Sequence, residues 1–432
     1  MMAAQASARG VHANRWLQLL VGVVCMVMIA NLQYGWTYFV NPMKDANNWA
    51  LAAIQVAFSI FVLTETWLIP IEGWFVDKFG PKIVVMVGGV IAAIGWALNS
   101  VAMSLPLLYV AAIVSGIGAG CVYGTCVGNA LKWFADRRGL AAGLTAGGFG
   151  AGAAATVIPI IHTISTYGYR TAFLWFGLGQ GLIIVLLSPL LRAPQPGQVA
   201  LPSKPKLGQS ARDFSPGEML KTPLFWALYL MFTMVAAGGL MATAQLGPIA
   251  RDFGLDKTQV VFLGIAGTTL IMAGIIDNIL NGVARPFFGW LSDNIGREPT
   301  MFIAFGGGAL AMWGLTSFGH QPLAFVLLFG MIYFTWGEIY SLFPATCTDA
   351  FGAKYAATNA GLLYTAKGTA AIFGGPLAAW LVNLTGGWES VFWVSAIMDL
   401  AAAIMALFVL KPMRAAHHAS VSAVHAAAQA AR

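Results

Sequence analysis

Arg285 and Lys367 are the residues of this chain whose type and position carry chemistry, because each lies deep inside a stretch otherwise built of apolar and small side chains. A charge at mid-bilayer costs roughly 3 kcal/mol on insertion scales, so such a residue faces a protein-lined path and needs a counter-charge. Arg285 offers a planar fork that engages a carboxylate through two bonds, and Lys367 a compact ammonium. Two cations suit one small dianion, and each charge pair at about 4 Å is worth roughly 4 kcal/mol at an effective dielectric of 20. Trp336 and Tyr340 are four residues apart and Tyr364 and Lys367 three apart, so each pair shares a helix face. Flat rings there would enclose a flat anion.

The elements that hold these residues are transmembrane helices. Of the 432 residues, 59% are hydrophobic and 9% charged, with a mean hydropathy of +0.76, which excludes a soluble domain and gives an all-α membrane protein. A hydrocarbon core of roughly 30 Å needs about 20 apolar residues per helix. Twelve transmembrane helices are expected near 16–40, 51–76, 82–103, 106–131, 139–164, 170–191, 223–247, 258–290, 299–318, 322–346, 356–383 and 388–410. With both termini cytoplasmic, one side and the tails hold 17 of the 23 Lys and Arg residues, whereas the other side has Lys44, Arg170, Arg251 and Lys257. That asymmetry predicts a multi-pass protein of the inner (plasma) membrane. The net charge of +7 is scattered beside the lipid bilayer, so no nucleic acid is expected as partner. Cys25, Cys121, Cys126 and Cys347 read as packing residues, and no metal or cofactor motif is present.

An internal repeat organises the chain. Gly73-Trp-Phe-Val-Asp77-Lys78-Phe-Gly80-Pro-Lys82 recurs 216 residues later as Gly289-Trp-Leu-Ser-Asp293-Asn-Ile-Gly296-Arg297-Glu298. Its glycines allow a tight turn between helices, and its Asp can bridge to a helix end or to a basic residue, latching one conformational state. Two six-helix pseudo-symmetric halves are therefore expected, residues 1–191 and 223–414, joined by a cytoplasmic linker at 192–222 and followed by a disordered tail at 415–432.

This pattern of loops resembles the signature of the major facilitator superfamily and implies the major facilitator fold. A finer resemblance rests on Asn31-Leu-Gln33-Tyr34-Gly-Trp36, Gln55, Tyr123, Arg285-Pro286-Phe287, Trp336, Tyr340 and Leu363-Tyr364-Thr-Ala-Lys367. Together these are similar to the oxalate:formate antiporter family. The resemblance implies that Arg285 and Lys367 hold a dicarboxylate, that Tyr34, Tyr123, Trp336, Tyr340 and Tyr364 wall it, and that Gln33 and Gln55 add polar contacts. It also implies small carboxylate anions, oxalate and formate, as partners of a monomeric carrier that is not an enzyme.

Phe149 and Tyr364 stand where that family's pattern has Tyr and Trp, and Glu65 and Glu72 replace uncharged residues. Glu65, Glu338 and Asp277 are candidate proton carriers or charge compensators, and Asp277, Glu338 and Asp399 candidate structural partners for the cations. The expected mechanism is alternating access, in which substrate neutralises Arg285 and Lys367 before the cavity closes; two unpaired buried charges favour exchange over uniport. A proton-coupled carrier of a small monocarboxylate such as pyruvate or lactate, and a non-transporting carboxylate receptor, are the alternatives. No nucleotide-binding loop or nucleophile motif supports a pump or an enzyme.

Overall fold

A computed structural model describes residues 14–195, 198–199, 208–210, 212–243 and 245–430 of the protein. Ten of its helices are long and apolar enough to cross a membrane. Thr269–Ile295 and Ala356–Thr385, of 27 and 30 residues, bring the spans to twelve. The first of these is made less apolar by Asp277, Asn278, Asn281 and Arg285, of which Asn281 and Arg285 bond to each other.

Span 1 is Arg15–Tyr34, entered through Asn14, whose side chain accepts the Trp16 N–H at 2.9 Å. Spans 3 to 6 are Pro81–Val101, Leu105–Trp133, Arg138–Tyr167 and Tyr169–Leu187. Spans 7 and 9 are Pro223–Thr243 and Arg297–Phe318, and span 12 begins at Glu389. Two spans are broken. Span 2 runs Leu51–Trp67 and resumes at Ile69–Phe79, because Pro70 lacks an N–H and its ring opposes the carbonyl of Thr66. Span 10 runs Pro322–Gly337 and resumes at Ile339–Phe351.

Span 8 starts later than its hydropathy implies. Residues 259–268 form an antiparallel hairpin, Gln259–Phe262 with Ile265–Thr268, in the register Gln259 to Thr268. Leu263 and Gly264 turn it with φ of 51° and 81°, a two-residue turn with both φ positive that matches strand twist. Thr268 then caps span 8 by accepting the Ile271 N–H. Beyond span 12, helix continues through Lys411–Ala430. The His417 ring packs on Phe214 and Phe351 at 5.0 and 5.4 Å, which gives this segment an apolar seat.

The halves meet along two pseudo-symmetric crossings, span 5 with span 8 and span 2 with span 11. Spans 3, 6, 9 and 12 lie outside and expose Val87, Leu182, Leu310 and Ile397 to lipid. Small residues set both crossings, as packing without a hydrophobic driving force requires. A Cβ on Gly143 would lie 2.2 Å from the Arg285 carbonyl oxygen, and one on Gly368 2.4 Å from Thr66 Oγ1. The Gly-dense stretch of span 5 thus brings its backbone onto span 8 at the level of Arg285.

Replacing Gly143 by Ala is expected to destabilise the purified protein, whereas Gly179→Ala, with open space at its Cβ position, should stabilise it slightly. Helical Gly→Ala alone contributes up to about 1 kcal/mol of stability, and overpacking costs typically 1–3 kcal/mol. Opposite shifts of Tm for the two variants would bear this out.

Candidate functional site

Arg285 and Lys367 converge from spans 8 and 11 in the protein interior, each only 1% exposed. Asn281, one turn earlier on span 8, accepts from Arg285 Nε and Nη2 at 3.2 and 3.1 Å. Nη1 donates to the Ala146 carbonyl at 2.7 Å and Nη2 to the Tyr34 hydroxyl at 3.2 Å. Space for the guanidinium comes from Gly150, whose Cβ position lies 3.1 Å from the Arg285 Cζ. The two cations share one aromatic floor, since the Tyr340 ring centroid lies 4.5 Å from Arg285 Cζ and 5.6 Å from Lys367 Nζ. Such cation–π contacts are worth about 2 kcal/mol when desolvated.

Lys367 Nζ donates to Gln33 Oε1 at 3.2 Å, to the Tyr364 hydroxyl at 3.2 Å and to Glu65 Oε2 at 3.3 Å. Phe149 lies 5.9 Å from the ammonium, with Tyr34 and Tyr123 edge-on to it at 5.4 and 5.3 Å; Tyr123 also lies 4.8 Å from Tyr364. Tyr34, Gln33, Tyr123, Tyr340 and Tyr364 therefore surround the cations. Trp336 is one ring further out, 5.5 Å from Tyr340. The Gln55 side chain lies outside the described residues. Trp36 packs on Phe173 at 6.3 Å, away from the cations.

Glu65 changes the electrostatics expected from the sequence. Lys367 is not left to be neutralised by substrate alone, because the fully buried Glu65 carboxylate already forms an ion pair with it at 3.3 Å. Asp277 and Glu338, the other candidate compensators, are buried but make no ion pair with either cation among the described residues, and neither does Asp399. Glu338 has Asp399 as its charged neighbour. The physical reason is geometric: Glu65 sits at the last turn before the span 2 break, where Gly368 lets span 11 lie flush on Thr66 and Trp67. Asn281 and the Ala146 carbonyl were not singled out in the sequence. The four-residue spacing of Asn281 from Arg285 was the available signal.

The repeated loops close one face of the molecule by the same construction twice. Gly80 and Gly296, with φ of 81° and 105°, join spans 2–3 and 8–9; residues with a Cβ are strained there. Asp77 binds Lys132 at 2.6 Å and crosses to the other half, accepting the Thr358 N–H at 3.2 Å and its hydroxyl at 2.6 Å at the start of span 11. Asp293 mirrors it, accepting the Gly139 and Leu140 N–H groups at 3.0 and 2.8 Å at the start of span 5 and pairing with Arg297 at 2.7 Å. Each carboxylate thereby caps a helix N-terminus of the opposite half. Gly73 and Gly289 lie flush with those same ends: added Cβ atoms would come within 2.8 Å of Ala357 and 2.1 Å of Gly139. Asp349, which the sequence reading left unassigned, ties Arg138 of one half to Arg297 of the other, each at 2.9 Å.

Twelve helices in two halves, joined at one face by polar contacts and enclosing buried cations, define a solute carrier of the membrane. The Major Facilitator Superfamily model matches residues 21–368 and 263–431. The chain is 39% identical over 409 residues to the oxalate:formate antiporter of Oxalobacter formigenes, covering 94% of this chain and 93% of that one. The chain belongs to the Major Facilitator Superfamily and, within it, to the oxalate:formate antiporter family. It is also 30% identical over 392 residues to an uncharacterized 38 kDa protein of Thermoproteus tenax, covering 90% of this chain and 94% of that one. A structure of the proton:xylose symporter XylE bound to 6-bromo-6-deoxy-D-glucose has the same fold, with a TM-score of 0.67 at 15% identity over 92% of this chain and 96% of that one.

In the Asp293→Asn variant the Gly139 and Leu140 amides lose a charge-assisted acceptor worth about 1.5–3 kcal/mol. Their hydrogen–deuterium exchange is expected to quicken by about 10-fold or more, while the Thr358 amide, held by Asp77, stays protected. Equal exchange in parent and variant would show that Asp293 does not hold this crossing.

Proposed function

We propose that the protein exchanges small carboxylates across the inner (plasma) membrane, oxalate for formate, by alternating access. The observation that carries this reading is the convergence of Arg285 and Lys367 over the single Tyr340 ring. Two carbons bearing two carboxylates present a flat dianion, one end suited to the guanidinium fork and the other to the ammonium. Tyr34, Tyr123, Tyr340 and Tyr364 form the wall, with Gln33 and Gln55 as polar contacts and Trp336 supporting Tyr340. The name of the 39% identical relative supplies the two anions.

Residues 1–191 and 223–414 are the rocking bodies and 192–222 the linker. Both termini are cytoplasmic, because the cations concentrate on the side of the termini and signature loops, and the chain works as a monomer. The latch of that side comprises Gly73, Asp77 and Gly80 in one half and Gly289, Asp293, Gly296 and Arg297 in the other. Release of the Asp77 and Asp293 contacts opens the cytoplasmic side, and reformation closes it. The step involves no covalent chemistry and no nucleotide, only differential stability of two packed states.

The test is uptake of labelled oxalate into proteoliposomes preloaded with oxalate, formate or nothing. Uptake should require an internal anion and fall at least about 30-fold in Arg285→Ala and in Lys367→Ala, since truncating a buried charge partner costs 2–5 kcal/mol. A folded parent that takes up no oxalate would end the oxalate assignment and turn attention to monocarboxylates. Variants that transport normally would end the role of the cation pair.

A further inference from the structure

We propose that the hairpin at 259–268 is a membrane anchor, which seats its apolar tip in the interface of the leaflet opposite the signature loops and holds that end of span 8 there. This surface lies apart from the cation site, and its role is the same whichever anion is carried. Polarity divides the hairpin along its length. Lys257, Thr258, Gln259 and Thr268 stand at or just before its open end, whereas Val261, Phe262, Leu263 and Ile265 make up its closed end. One face is used inside the protein. Val260 is buried in the core around spans 8 and 10, on which its strand lies, and the Cβ position of Gly267 is 3.2 Å from Met272 Sδ. Val261, Leu263 and Ile265 are left 64%, 84% and 63% exposed.

Leu263 is the telling residue. Its side chain is the most exposed of the large apolar ones among the described residues, and it stands at a turn position with φ of 51°. A two-residue turn with both φ positive favours Asn, Asp or Gly there, and a side chain with no local hydrogen bond to make is strained. Leucine therefore serves neither the turn nor a watery surface. The partner its side chain fits is an apolar medium.

Depth along span 8 identifies that medium as lipid. Trp290, 50% exposed near the signature-loop end of the span, is the kind of residue that marks a membrane interface. Leu270 lies 20 residues before it, about 30 Å of helix, which matches the thickness of a hydrocarbon core. The base of the hairpin thus falls at the opposite boundary. Next to it, Ile271, Ile275 and Ile279 of span 8 and Leu323 and Leu327 of span 10 are exposed to lipid, and the hairpin tip continues their surface. The unpaired edges of a two-stranded ribbon forbid deeper burial, so the side chains reach the hydrocarbon while the strands stay at headgroup level. Anchored in this way, the helix that carries Arg285 keeps its depth in the bilayer.

Spin-label accessibility in phosphatidylcholine proteoliposomes tests the proposal. The four native cysteines are buried, so the label goes to a cysteine introduced by Leu263→Cys, with labelled parent as the blank. Leu310→Cys, exposed to lipid on span 9, and Gln321→Cys, exposed between spans 9 and 10, are the references. Power saturation is read with oxygen, which concentrates in hydrocarbon, and with a water-soluble nickel chelate. The Leu263→Cys label should respond to oxygen as Leu310→Cys does and be shielded from nickel relative to Gln321→Cys. Nickel access equal to that of Gln321→Cys would place the tip in water, and shielding from both reagents would place it against protein; either result overturns the proposal. Val261→Cys is read in the same way should Leu263→Cys not fold.

Discussion

An ammonium and a guanidinium buried in the middle of a helical bundle must each be held by charge, dipoles and rings, and that requirement orders the rest of this structure. Lys367 is held by a carboxylate, an amide oxygen and a hydroxyl within 3.3 Å; Arg285 is held by Asn281, a backbone carbonyl and Tyr34. These partners come from spans 1, 2, 5, 8 and 11, so both halves contribute to holding cations that reside in one. The cost of burying a charge without its partner is several kcal/mol. Any motion that separates the halves must therefore supply replacement partners, which is the physical basis for linking substrate occupancy to conformational change.

Glycine is the means by which the helices come close enough to do this. Gly143 and Gly150 admit the Arg285 backbone and guanidinium, and Gly368 admits Thr66 and Trp67, so that Lys367 meets Glu65. The same two crossings continue to the loop face, where Gly73 and Gly289 lie against the starts of spans 11 and 5 and Asp77 and Asp293 cap them. The central site and the polar closure thus lie on the same pairs of helices, about three turns apart on span 5 from Gly139 to Gly150. Lys367 and Thr358, which holds Asp77, lie on one continuous helix.

Much of this was legible in the residues. Composition gave the membrane class, the 216-residue repeat gave the two halves, and their isolation picked out Arg285 and Lys367, two cations that converge over Tyr340. The resemblance carried by Tyr34, Tyr340 and Tyr364 named residues that do surround the cations. What was not legible depended on three-dimensional register. Glu65 could be recognised as out of place in an apolar span, but its pairing with Lys367 follows from the break at Pro70 and the flush contact at Gly368. The hairpin at 259–268 was read as helix because Val260, Val261 and Phe262 are as apolar as the span they precede. Asp349 gave no signal that distinguished a bridge between halves from an ordinary charge at a helix end.

The most direct measurement is a structure with oxalate bound. Oxalate is expected between the Arg285 guanidinium and the Lys367 ammonium, over Tyr340, with the Glu65 carboxylate moved off Lys367. Oxalate bound elsewhere, or bound with the 3.3 Å Lys367–Glu65 contact intact, would contradict it.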